Sequence, residues 1–203
     1  GTFPTHIAMN IISKEFDGQD PHELYHFDPP DPIASASIGQ VFRAITKDTN
    51  ETVAVKVQRP DAISTAPIDM YILRNAARWL KRRKKLRSDL VAIADEFGCQ
   101  IYKELNYIEE AENCVKFGTL YGDIPGIYIP SVRRDLTRRR VLTQEYIEGE
   151  KGPWAEGGEQ LLTVGLQCSV LQLLGTGFFH SDPHRGNLLK MKSTTILYRK
   201  NIR

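Results

Sequence analysis

The densest chemistry in the chain is His180-Ser181-Asp182-Pro183-His184-Arg185-Gly186-Asn187. An aspartate followed five residues later by an asparagine suits phosphoryl transfer. The carboxylate orients or deprotonates the acceptor, and the amide oxygen holds a magnesium ion on the phosphates. The same residues also suit a plain turn, with Asp182 and Asn187 bonding local backbone and His180 packed as a satisfied histidine.

Lys56 tips the balance toward chemistry. It stands inside Val53-Ala54-Val55-Lys56-Val57, and a lysine within an apolar strand is costly unless something pairs with it. Such a strand lysine is the group that holds the α/β-phosphates and a helical glutamate in kinases, whereas the bland reading is a lysine snorkelling from an edge strand. Its candidate partners are Glu104 and Glu110. On one straight helix they lie about 120° apart, so one lysine does not engage both equally. Glu104 shares the stripe of Ile101 and Ile108, and Glu110 shares a face with Asn106, Asn113 and Cys114. Ahead of the strands runs Ala34-Ser35-Ala36-Ser37-Ile38-Gly39-Gln40-Val41, which offers a single glycine where an ordinary kinase places several for its amides to approach phosphate.

These segments together resemble the UbiB-like (aarF-domain) atypical kinases. The resemblance rests on the Ala-rich loop at 34–41 and on Val53-Ala54-Val55-Lys56-Val57-Gln58-Arg59-Pro60. Glu104-Leu105-Asn106-Tyr107 leading to Glu110-Ala111-Glu112-Asn113, and Gly177-Phe178-Phe179-His180-Ser181-Asp182-Pro183-His184, complete it. It implies a two-lobed, protein-kinase-like fold that binds ATP and Mg2+, with ATPase or unorthodox kinase activity in isoprenoid-quinone metabolism. The implied setting is an organelle, plastid ahead of mitochondrion, with a membrane surface and quinone-pathway proteins as partners. By position, Lys56 is the nucleotide lysine, Glu110 its helical partner, Asp182 the catalytic carboxylate and Asn187 a metal ligand. Ala34, Ser35, Ala36, Ser37 and Gly39 cover the nucleotide, and the backbone near Glu145 meets adenine. The family's Glu-x-Asp falls at Glu104 and Asn106, with Asn replacing the acid, and Arg185 replaces a usual proline. After Asp182 the chain carries no Asp or Glu, so the family's Asp-Phe-Gly is not found and a fragment is expected. A catalytically dead nucleotide-binding scaffold is the alternative of a different class.

Three rival signals are weaker. His22-Glu23-Leu24-Tyr25-His26 matches the zinc-protease pattern H-E-x-x-H, but Pro21 and Pro29 confine the helix it needs. His180, Asp182 and His184 are types that ligate metals, yet Pro183 and the spacing to Asn187 fit a kinase loop better. Lys81-Arg82-Arg83-Lys84-Lys85 with Arg87 is a basic run without interleaved aromatics, read as a solvated helix end that adds surface attraction to anionic lipid. With 27 basic and 25 acidic side chains, no whole-protein field argues for nucleic acid. Three cysteines without a C-x-x-C pair speak against a disulfide framework or zinc ribbon.

The elements that must position these groups follow from periodicity. Residues 4–16 read as a helix stopping at Gly18, and Asp20-Pro21 opens a short second one. Val41–Ile45 and Thr52–Val57 around the turn 47–50 read as a hairpin. Two long helical patterns follow, one opened by Pro67 and one capped by Ser88 whose stripe continues from Leu90 through Phe97 to Val115. Strands are expected at 127–132 and 140–147. The uncharged stretch Leu161 to Phe179 is long enough to span a bilayer but is interrupted by polar residues, and its Leu162, Leu166, Val170, Leu173 and Leu174 read as a buried core helix. The fold class is α+β: an N-lobe sheet with inserted helices over 1–148 and a truncated C-lobe over 149–203.

Overall fold

The computed structural model describes residues 3–36, 38–84, 89–152, 158–180, 187–191 and 196–198. Helix α1 (Thr5–Glu15) turns Ala8, Ile11 and Ile12 onto the sheet. It ends where Asp17 and Gly18 take positive φ and the Gly18 amide donates to the Ser13 carbonyl at 2.8 Å. One turn of helix, α2 (Pro21–Leu24), follows; the Asp20 carboxylate accepts from the His22 amide, and proline occupies the first helical position.

Strands β1 (Tyr25–Phe27), β2 (Ala34–Ala36), β3 (Gly39–Thr46) and β4 (Thr52–Gln58) begin an antiparallel sheet. Both faces of β4 are covered, which is why its sequence is an unbroken apolar run rather than an alternation. Phe42, Ala44, Val53, Val55 and Val57 pack on α1, whereas Lys56, one residue out of phase, lies on the other face opposite Val41.

Helices α3 (Ala62–Lys84) and α4 (Leu90–Glu104) leave and return as an antiparallel pair. Arg74 pairs with Asp95 at 2.9 Å and Lys81 with Asp89 at 3.0 Å, while Gly98 makes room for the Met70 thioether. Two expectations change here. Helix α3 starts at Ala62, with the Ser64 and Thr65 amides on the Asp61 carbonyl, so Pro67 stands inside the helix rather than opening it. Ser88 lies outside the described residues, and the observed cap is Asp89, whose carboxylate accepts from the Val91 and Ala92 amides.

A larger difference concerns the expected continuous helix to Val115. It breaks at Leu105, and α5 (Tyr107–Tyr121) starts afresh from Asn106, which adopts an extended backbone and accepts from the Ile108 amide. Phe97, placed by that stripe in the core, is half exposed.

Beyond α5 come β5 (Ile127–Tyr128), β6 (Val141–Glu145) and β7 (Gly149–Lys151). β6 completes the first sheet beside β4. The expected strand 127–132 is two short contacts instead: β5 joins a second sheet, and Val132 bridges to Gln144 in the first. The second sheet orders β5, β9 (Ile196–Tyr198), β8 (Leu188–Met191) and β7, so it recruits residues on both sides of position 148. Among the described residues the chain crosses between the sheets three times, once through helices α3–α5 and twice directly, at 129–131 and at 146–148.

Helix α6 (Gly158–Val170) continues into a π-helical turn, Leu171–Thr176, ended by Gly177 at positive φ. Its orientation reverses the sequence reading. Leu161, Cys168 and Gln172 are the buried residues, packed with Phe117, Tyr121 and Ile127 of α5 and β5, while Leu162, Leu166, Val170, Leu173 and Leu174 are exposed. An uncharged stretch offers no charged face to mark the solvent side, so apolar spacing alone selects the wrong stripe. No helix among the described residues is long and apolar enough to cross a membrane.

Candidate nucleotide site

Lys56 and Glu110 meet across the outer face of the first sheet. The ammonium donates to both carboxylate oxygens, at 2.8 and 2.6 Å, and the lysine is only 7% exposed. The ammonium also sits 4.2 Å from the centre of the Tyr107 ring. Tyr107 is fully buried, and burial holds its hydroxyl well above the ordinary tyrosine range.

The break between α4 and α5 makes this meeting reproducible. Gln58, at the end of β4, donates its side-chain amide to the Leu105 carbonyl at 2.8 Å. The Tyr107 amide donates to the Arg139 carbonyl at 3.0 Å, just ahead of β6. Both anchors fix the start of α5 to the sheet carrying Lys56. Glu110 then lies one turn into α5, and Tyr107, Ala111 and Leu142 form the apolar floor beneath it. Glu104 ends α4 on the other side of the break, so the two acids do not share one straight helix. Asn106, at the position of the family's second acid, caps α5 and donates to Glu109 at 2.9 Å. The local pattern Asn-x-x-Glu is that of a capping box, and it is the signal that could have located the break.

The Ala-rich segment is a hairpin rather than an open loop. Ala34 pairs with Val41, Ser35 with Gln40 and Ala36 with Gly39. Gly39 has no space for a side chain: a Cβ there would lie 2.6 Å from the Val57 carbonyl oxygen and 2.7 Å from the Tyr107 hydroxyl. Ser37 lies outside the described residues. Farther along, the Glu145 carboxylate accepts from the Tyr128 hydroxyl at 2.6 Å and from the Ser131 amide and hydroxyl at 3.1 and 3.2 Å. The hydrogen bond to Glu145 pushes the Tyr128 hydroxyl up to about 12.

Of the groups near the carboxyl end, His180 is buried and its amide donates to the Gln172 side chain at 2.7 Å. Gln172 in turn donates to the Cys168 sulfur. Asn187 is half-buried just before β8. Asp182 and His184 lie outside the described residues, so the structure places neither against Lys56. Among the described residues no three His, Cys, Asp or Glu side chains gather where they could hold a metal ion. His22 stands in α2 and His26 in β1, so the two histidines of the H-E-x-x-H match do not share a helix face. In the basic run, Lys81 is paired with Asp89 and Arg83 lies over the Trp79 ring. Sequence reasoning missed Tyr107, Gln58, Tyr128, Ser131 and Gln172, which act through tertiary contacts that no local spacing announces.

Residues 2–199 match the description of the ABC1 atypical kinase-like domain. The chain belongs to that family. An uncharacterized Synechocystis protein, sll0005, is 47% identical over 97% of this chain and 30% of its own length. The Arabidopsis thaliana protein ACTIVITY OF BC1 COMPLEX KINASE 3, chloroplastic, is 39% identical over 93% of the chain and 27% of its own length. The ABC1 domain seen here thus spans under a third of these relatives. A solved structure, the Rv3197–erythromycin complex from Mycobacterium tuberculosis, superposes with a TM-score of 0.79 at 29% identity, covering 97% of this chain and 51% of that one. The ABC1 domain accordingly has the α+β, kinase-like fold expected of it.

Proposed function

We propose that this ABC1 domain binds adenine nucleotide with magnesium and serves as an atypical kinase or ATPase in isoprenoid-quinone metabolism within a plastid. The observation that carries the reading is the almost buried Lys56–Glu110 ion pair. A desolvated ion pair suits an anionic ligand better than it suits stability, since apolar residues of the same volume hold a fold as well or better. The plastid and the quinone setting are supported by the chloroplastic relatives and by the BC1-complex name that several of them carry.

In this reading Lys56, held by Glu110, donates to the α/β-phosphate oxygens, and the β2–β3 hairpin covers them at Gly39. The backbone beyond Glu145 meets the base. Asp182 orients or accepts the proton of the phosphoryl acceptor, and Asn187 holds the metal ion. Magnesium, when bound, neutralises charge on the phosphates. The donor set fits the nucleotide; for the metal, Asn187 is the single described contributor.

The test is equilibrium binding of a fluorescent ATP analogue with magnesium to the 203-residue chain. Lys56→Met should weaken binding at least tenfold with the circular dichroism spectrum unchanged, and Glu110→Gln should weaken it less. Unaltered affinity in Lys56→Met would sink the reading. The second reading, a nucleotide-binding scaffold without turnover, draws on the finding that no three His, Cys, Asp or Glu side chains among the described residues gather where they could hold a metal ion. Binding without phosphate release would decide for it.

A further inference from the structure

The chain passes directly from one sheet to the other, with no helix between, at two described places, and one carboxylate touches both. Tyr128 ends β5 in the second sheet, and Ser131 follows on the first crossing. Glu145 ends β6 in the first sheet, at the start of the second crossing. Its two oxygens are divided between them: Oε1 accepts from Tyr128, and Oε2 from the Ser131 amide and hydroxyl. The backbone repeats the tie, with the Glu145 amide on the Ser131 carbonyl at 2.8 Å, and the Tyr146 amide holds the second crossing to β4 through the Thr52 carbonyl at 3.1 Å. Hydrogen bonds to a charged acceptor are about twice as strong as neutral ones, and three on one carboxylate leave it little capacity for a ligand.

We propose that Glu145 is a positioning residue: clamped by Tyr128 and Ser131, its carboxylate staples the two crossings together and holds the backbone beyond it where a nucleotide's base would dock. The inference rests on the nucleotide reading for its ligand, but the clamp itself is a property of the described side chains. Its consequence is selective. Loosening the staple affects recognition of the base at the crossing, while the phosphates, held from β4 and α5 by Lys56, are anchored elsewhere in the first sheet.

The experiment compares two probes on the full chain: the fluorescent ATP analogue, and inorganic tripolyphosphate as its competitor, both with magnesium. Tyr128→Phe keeps the ring and removes only the donated hydrogen bond. It should weaken the nucleotide about fivefold and leave tripolyphosphate within twofold. Glu145→Gln should do the same, and the double variant should be no worse than Glu145→Gln alone, because both changes break one unit. Equal weakening of both probes would overturn the proposal in favour of a general loss of structure, as would no weakening of either. If the unaltered chain binds neither probe, the nucleotide reading has failed. Hydrogen exchange then judges the clamp by itself. Faster exchange at the Ser131, Glu145 and Tyr146 amides in Tyr128→Phe, with α1 and β3 unchanged, supports it, and unchanged exchange at those amides refutes it.

Discussion

At the residue scale, Gly39 shows how closely the hairpin and the site are joined. Its missing side chain lets β3 approach both the Val57 carbonyl and the Tyr107 hydroxyl, and Tyr107 is the ring beneath the Lys56 ammonium. A methyl group cannot enter without moving backbone on one side or a buried tyrosine on the other. Gly39→Ala is therefore expected to destabilise the fold by about 2 kcal/mol, as other overpacked sites do. Because the displaced ring touches the lysine, it should also weaken nucleotide binding. Urea unfolding and the binding titration check the two effects; an alanine variant as stable as its parent would show that the hairpin has slack.

Among elements, Arg133 organises the edge of the first sheet. Its guanidinium reaches Asp48 and Glu51 in the β3–β4 turn and Asp135 in its own loop. The arginine's hydrogen bonds hold the Asp48 and Asp135 carboxyls below their ordinary value of 3.8, and the acids push the arginine upward. The carboxyls are easier to ionise in the folded chain than in the unfolded one. Their contribution is thus fully present above the ordinary carboxylate range and is lost as pH falls through the lower folded values. The stability difference between the native chain and Arg133→Met should stay constant from neutrality down to about pH 5 and shrink below about pH 4. Thermal denaturation across that range measures it, and a difference independent of pH would mean that the arginine acts by packing alone. The same scale shows what the sequence could reveal. The hairpin and its buried lysine were legible because a charge inside an apolar strand contrasts with its neighbours. Spacing alone left the partner acid open between Glu104 and Glu110, since a continuous 3.6-residue stripe conceals the stop at Leu105 that only the capping pattern of Asn106 and Glu109 marks; the resemblance chose Glu110, and the structure pairs it with Lys56. Helix α6 was misread for the opposite reason: with no charge from Leu161 onward, its two faces differ too little.

Taken as a whole, the molecule seats Lys56 on the first sheet with Glu110 of α5 against it, and one carboxylate, Glu145, ties that sheet to the next. The kinase-like plan was legible through four short ordered segments, each carrying an unusual residue in a characteristic place. The packing directions of the helices between them were not, because exposed apolar side chains such as Ile68, Tyr71 and Trp79 on α3 look in sequence like core.

The hydrogen bond from Gln58 to the Leu105 carbonyl has one more consequence. It joins the point where the chain leaves the sheet to the point where it returns, so α3 and α4 form an excursion closed at its base. Such an excursion is modular. Replacing residues 61–103 with a short glycine-serine linker should leave α5 seated by Tyr107 on Arg139, and loop closure would then cost less than before. The shortened chain is expected to keep a native-like far-ultraviolet spectrum with reduced helix content, and to bind the ATP analogue within about threefold of the parent. If binding disappears while the sheet survives, the helical pair is a working part of the site and not a detachable appendage.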